Sequence, residues 1–256
     1  MSDRFRDRPR RGIPLRALAP NAVTAMALCT GLSGVRFAIS GEWEKALAAI
    51  IVAGVLDGID GRIARMLKGE SRFGAELDSL SDVIAFGVSP AIIIYLWSLQ
   101  VMPQFGWVVA LSHAVCCALR LARFNANIDA VDQPHKSAGF LTGVPAPAAA
   151  GLALLPLYVW LWSGLDIVRE PYVVAPWIIV VAFLMISNVA TFSWSSLRLR
   201  RNIRLEALAG FALLAAALMS APWTTLTAVS MAYLIAIPFS IRSYARVRRQ
   251  RAKPAA

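Results

Sequence analysis

Along nearly the whole chain, apolar stretches recur that are each close to the roughly 20 residues a helix needs to cross about 30 Å of hydrocarbon. About eight can be marked by their apolar runs: Pro20 to Ser40, Ala46 to Met66, Val83 to Val101, Trp107 to Ala126, Pro147 to Trp162, Val173 to Phe192, Leu205 to Ser220 and Trp223 to Ser243. The seventh is short, which leaves seven as the alternative count. Hydrophobic residues make up 58% of the 256 positions and charged ones only 16%, too apolar a balance for a soluble domain of this length. The expected fold class is all-α, a polytopic membrane helical bundle.

Charge then sets orientation. The formal net charge is +11, but the basic residues gather at the ends of the apolar spans and no aromatic-basic reader of nucleic acid accompanies them. With the N-terminus in the cytoplasm and eight spans threaded, only Arg36, Lys45 and Arg169 of the 26 basic residues fall on or near the far side. The Arg-rich lead from Arg4 to Arg16 precedes a long apolar segment without a small-residue cleavage pattern, so it is not a secretory signal. The division expected is a basic cytoplasmic segment over 1–17, a transmembrane domain over 18–245 and a basic cytoplasmic tail over 246–256. Both termini and the active site then face the cytoplasm from a multi-pass protein of the inner membrane. Cys29, Cys116 and Cys117 lie inside apolar runs with no metal-type spacing and read as packing residues.

Against this apolar background the acids stand out. Asp57, Asp60, Asp78 and Asp82 fall at the cytoplasmic ends of the second and third spans, where a charged carboxylate costs several kcal/mol unless it is paired, metal-bound or in a wet cavity. Asp57 and Asp60 are three apart, so with Gly61 and Ala64 they occupy one stripe of a helix. Gly74, Asp78 and Asp82 follow at separations of four, which stacks a gap and two carboxylates on one side of the next helix. Joined by the short connection from Leu67 to Phe73, the two stripes can face each other. Four like charges repel, and a hard divalent cation such as Mg²⁺ or Mn²⁺ resolves the repulsion with oxygen ligands. Four carboxylates suffice to bridge two ions about 3.5 to 4 Å apart. Gly61, Ala64 and Gly74 leave room for a ligand beside the backbone, and Arg65 and Arg72 add positive charge, a mixture suited to phosphate. The competing account, in which the acids cap helices or pair with Arg62, Arg65 and Arg72, does not explain four acids at spacings that build two opposed faces.

Written as a string, Asp57 to Asp82 reads D-x-x-D-G-x-x-A-R, eight residues, G-x-x-x-D-x-x-x-D. It resembles, at every fixed position, the signature of the CDP-alcohol phosphotransferase family. The resemblance implies that an alcohol displaces CMP from a CDP-linked lipid with a divalent metal. It implies metal ligation by Asp57, Asp60 and Asp78, a general base at Asp82 that can share in metal binding, and nucleotide contacts at Gly61, Ala64 and Arg65. It also implies a homodimer.

Further segments resemble the serine-accepting branch of that family, the phosphatidylserine synthases: Leu77 to Ala91, Arg120 to Asn125, Gly143 to Ala150, and Pro20-Asn21 followed by Ala-Val-Thr. The substrates so implied are CDP-diacylglycerol and L-serine, with membrane lipid around them. The run Ser193 to Arg201 departs from that branch. Arg120, Arg123 and Asn125 are the expected contacts for the serine carboxylate or a lipid phosphate, with positive-inside anchoring as the alternative. Ser187, Asn188 and Thr191 form a polar patch in the sixth span, open to interhelical bonding or substrate contact. His113, mid-span, reads as a packed, hydrogen-bonded histidine, and the stretch around His135 and Lys136 as a lid. The alternatives kept open are another acceptor alcohol (glycerol 3-phosphate, inositol phosphate or choline), a membrane prenyltransferase, and a cation-coupled transporter. The transporter is disfavoured because the acids lie at one membrane face.

Overall fold

A computed structural model describes residues 15–67, 71–126, 140–192 and 204–251. The apolar runs become helices. The first two, α1 (Leu15–Ile39) and α2 (Trp43–Leu67), form a hairpin that turns at Gly41, whose φ of 74° suits a residue without Cβ. Contact between them is close, since a Cβ at Gly34 would lie 3.1 Å from the Ala46 carbonyl oxygen.

After the connection comes α3 (Arg72–Asp82), which starts cleanly because Ser71 Oγ accepts from the Gly74 N–H at 3.0 Å. It runs without a break through a π-helical turn (Val83–Val88) into α4 (Ser89–Trp97). The third span therefore extends over Arg72–Trp97 and not over Val83 to Val101, because Ser71 caps it early and the chain leaves the helix at Ser98. Asp78 and Asp82 sit well inside this helical stretch. The next helix, α5 (Pro103–Ala126), begins on a proline, where the missing N–H costs nothing.

The second half comprises β1 (Phe140–Thr142), α6 (Ala146–Ala153), α7 (Leu155–Ser163), α8 (Pro171–Ile186), β2 (Ala190–Phe192), α9 (Arg204–Ser220) and α10 (Pro222–Arg251). The strands pair antiparallel with Leu141 opposite Thr191. The sixth apolar run was expected to stay helical to Phe192, but α8 ends at Ile186 and Ala190–Phe192 pairs with β1 instead. Ser187, Asn188 and Thr191 thus lie beyond the helix, on the irregular connection and the strand.

Among the described residues five helical stretches are long and apolar enough to cross a membrane: Leu18–Ile39, Arg72–Trp97, Pro103–Ala126, Ala146–Ser163 and Pro222–Ala245. Shorter apolar helices lie at Pro171–Ile186 and Leu208–Ser220. α2 has 25 residues, long enough to span, but carries Asp57, Asp60, Arg62 and Arg65 in its second half. The core is built from α2, the π turn, α4, α5, α6, α7 and α8, with Leu47, Ile93, Ile94, Trp97, Leu152, Leu157 and Ile178 almost wholly buried. Large apolar side chains such as Leu205, Phe183 and Met219 face outward, the pattern of an all-α protein solvated by lipid. At one end of the bundle Arg169 ties the chain together, its Nε donating to the Trp97 carbonyl at 2.9 Å while the Arg169 carbonyl accepts from Ser98 Oγ at 2.6 Å.

Candidate active site

The acidic faces meet as the spacing requires. Asp57 and Asp60 come from the second half of α2, Asp78 and Asp82 from α3, and carboxylate oxygens of Asp57, Asp60 and Asp78 all lie within 4.8 Å of one another. Asp82, one turn beyond Asp78, reaches within hydrogen-bonding distance of Asp57. Asp60 is the most enclosed, 3% exposed, and the others are half-buried. Among the described residues none of the four pairs with a basic side chain; the one ion pair there joins Lys45 to Glu42 far from the site. The charges are thus left facing each other, and three oxygen donors at this separation suit a hard divalent cation.

Helix α1 completes the cluster. Thr24, buried under α2, donates its hydroxyl to Asp60 Oδ2 at 2.7 Å. Its backbone carbonyl accepts from Ser81 Oγ at 3.2 Å. Neither residue is singled out by the sequence alone, although Thr24 belongs to the Pro20-Asn21-Ala-Val-Thr opening. Their signal was the placement of small hydroxyl residues in an apolar run, which is ambiguous until the partner helix is known.

The expected phosphate-side residues divide. Gly61 opens on free space, with no atom within 4 Å of where a Cβ would stand, and Ala64 follows on the same stripe. Arg65 is exposed and bends back to its own helix, Nε donating to the Gly61 carbonyl at 3.0 Å. Arg72 is exposed at the first turn of α3. Gly74 is not the gap that the spacing suggested. A Cβ there would lie 2.9 Å from Asn21 Oδ1 and 3.1 Å from Ser71 Oγ, so the glycine seats Asn21 of α1.

The acceptor-side residues divide as well. Arg123 Nη2 donates to Asn188 Oδ1 at 2.7 Å, tying the end of α5 to the segment after α8. Asn125 Nδ2 donates to Ser79 Oγ at 2.9 Å, bracing α3 between its two acids. Arg120 is different: half-buried on α5, it lies near enough to Asp82 and to Tyr233 of α10 to feel their charge but forms no ion pair with the acids, and its Nε is buried without a partner among the described residues. Thr191 donates to the Gly143 carbonyl at 2.8 Å, so this member of the polar patch stabilises the strand pair. The lid around His135 and Lys136, and the run Ser193 to Arg201, lie outside the described residues.

Fold and site together define a polytopic membrane protein that presents a metal-type carboxylate cluster where two helices meet. The chain belongs to the CDP-alcohol phosphatidyltransferase family, whose family model matches residues 17–194. A second model, described as CDP-alcohol phosphatidyltransferase 2, matches residues 202–238. The chain is 39% identical over 243 residues to a CDP-diacylglycerol–serine O-phosphatidyltransferase of Mycobacterium tuberculosis, covering 92% of this chain and 82% of that one. It is 32% identical to the Helicobacter pylori protein of the same name over 183 residues, 70% of this chain and 75% of that one. With the Bacillus subtilis protein of that name it shares 30% over 170 residues, 66% of this chain and 87% of the other.

Proposed function

We propose that the chain transfers the phosphatidyl group of CDP-diacylglycerol to the hydroxyl of L-serine, giving phosphatidylserine and CMP. The observation that carries this choice of alcohol is the 39% identity, over 92% of the chain, to a protein named for that reaction. The convergence of four carboxylates where α2 meets α3 supports the chemistry independently of the name.

In this reading Asp57, Asp60 and Asp78, together with Asp82, would hold Mg²⁺ or Mn²⁺, two ions in all. When bound, the ions neutralise the diphosphate and the charge that develops on CMP. Asp82 accepts the proton of the serine hydroxyl as its oxygen attacks the phosphorus that bears diacylglycerol. The phosphoanhydride bond breaks, and CMP departs with the bridging oxygen. Gly61 and Ala64 admit the nucleotide along the open stripe of α2, Arg65 and Arg72 supply charge to phosphate oxygens, and Gly74 contributes by letting Asn21 approach. Arg120, whose Nε is buried without a partner among the described residues, receives the serine carboxylate, while Arg123 and Asn125 hold the helices that frame it.

The same reading places residues 18–245 in the cytoplasmic membrane as a homodimer, with the basic segments 1–17 and 246–256 and the carboxylate cluster on the cytoplasmic side. Incubating purified protein with CDP-diacylglycerol, Mn²⁺ and one labelled alcohol at a time tests the assignment. Serine label should enter lipid with stoichiometric CMP release. Product from glycerol 3-phosphate, inositol phosphate or choline but not from serine overturns the choice of acceptor.

A further inference from the structure

The helix that carries Asp82 does not continue as a regular α-helix. A π-helical turn occupies Val83–Val88, immediately after the acid, and closes with the Ser89 N–H bonded to the Ile84 carbonyl. The next residue, Pro90, has no N–H to return to the carbonyl four residues back, and its ring crowds that carbonyl, which belongs to Phe86. The Phe86 oxygen is instead met from another helix: His113 Nε2 of α5 lies 3.2 Å away. A carbonyl only accepts, so Nε2 bears the hydrogen and Nδ1 is bare; Nδ1 is buried with no partner among the described residues. His113 is completely buried, and a lone unsatisfied nitrogen is costly there, so packing alone does not account for an imidazole at this position.

The π turn is held from two sides. A Cβ at Gly87 would stand 3.0 Å from Cys117 Cβ, one turn along α5 from His113, and a Cβ at Gly31 would stand 2.9 Å from Ala85 Cα. A π turn takes up an extra residue and so shifts the phase of everything on one side of it relative to the other, by about 100° for one residue. Below it Asp78 and Asp82 face α2; above it Ile93, Ile94 and Trp97 face the core. Both orientations hold only while the turn stays open.

We infer that His113 is a positioning residue for Asp82: by capping the Phe86 carbonyl it keeps the π turn open and fixes the angle at which Asp82 enters the carboxylate cluster. The inference rests on the proposed role of Asp82 as base. The test compares His113→Leu with His113→Gln, whose amide nitrogen reaches as far as Nε2, beside Asp82→Asn, each purified in detergent and checked for a wild-type elution profile and thermal midpoint. His113→Leu should lower kcat by on the order of tenfold to a hundredfold, the cost of a misplaced catalytic group, with KM for CDP-diacylglycerol unchanged. His113→Gln should restore most of it. If the leucine variant does not fold, His113→Asn, whose amide falls short of Phe86, takes its place in the comparison. Wild-type kcat without the donor, equal losses in the glutamine and leucine (or asparagine) variants, or a loss confined to KM each overturn the inference. Full turnover in Asp82→Asn would instead remove the reading underneath it.

Discussion

Thr24 fastens both acid-bearing helices to α1, through a side-chain bond to Asp60 at 2.7 Å and a main-chain bond from Ser81 at 3.2 Å. Its hydroxyl also lies 3.1 Å from the Pro20 carbonyl, but one hydrogen cannot serve both acceptors fully, and the shorter contact to a carboxylate is the stronger. Asp60 is therefore oriented from outside its own helix, and the cluster is a three-helix construction although its acids come from two.

Replacing Thr24 with valine removes the donor and keeps the shape. Orienting partners of metal ligands typically contribute tenfold or more to metal affinity, so the Mn²⁺ concentration for half-maximal CMP release should rise on the order of tenfold. Thr24→Ser should stay close to wild type. A metal titration of both variants decides; an unchanged midpoint in Thr24→Val would show that the bond only packs α1 on α2.

Asp78 and Asp82 lie one turn apart on α3 but are assigned different work. Asp82→Asn should leave CDP-diacylglycerol binding in place and lower turnover by about 10²- to 10⁴-fold, the usual contribution of a general base. Asp78→Asn should in addition weaken the response to metal, and a chelator should abolish wild-type activity until Mg²⁺ or Mn²⁺ is restored. Equilibrium binding of labelled CDP-diacylglycerol beside a turnover assay separates the two.

The acids were legible in the sequence because charge in an apolar span is costly enough to demand a reason, and helical spacing then gives the faces. The helical class was legible for the same hydrophobic reason. What escaped were features that depend on neighbours. Gly74 reads as a gap by spacing, yet Asn21 fills it. The polar residues after α8 read as part of a span, yet Ala190–Phe192 pairs with the strand Phe140–Thr142, and Thr191 adds a side-chain bond to the Gly143 carbonyl. Arg120 and Arg123, a turn apart, look equivalent along the chain, and only the packed neighbours separate them: Asn188 accepts from the exposed Arg123, while Arg120 is half-buried.

That separation has a consequence in kinetics. Arg120→Gln should raise KM for serine by on the order of tenfold or more, since a charge-assisted hydrogen bond contributes about 1.5–3 kcal/mol, and should leave KM for CDP-diacylglycerol alone. Arg123→Gln should lower the thermal midpoint instead, because it loosens α5 from the segment beyond α8. Initial-rate measurements with each substrate varied, together with melting in detergent, check both. A serine KM that responds to Arg123 and not to Arg120 would reverse the assignment.

Two glycines give opposite forecasts for the same substitution. At Gly143 φ is 73° and an added Cβ would lie 2.5 Å from the Met185 carbonyl oxygen, so alanine meets both a disfavoured backbone and fixed main-chain atoms. Gly143→Ala should destabilise the fold by about 1–3 kcal/mol or more and lower the melting midpoint. At Gly61, inside α2, nothing lies within 4 Å of the added Cβ, and alanine is the better helix former by about 1 kcal/mol. Gly61→Ala should therefore melt no lower than wild type, yet raise KM for CDP-diacylglycerol, because the open stripe is where the nucleotide is proposed to lie. A Gly61→Ala protein with unchanged KM would mean that the nucleotide takes another route to the carboxylates.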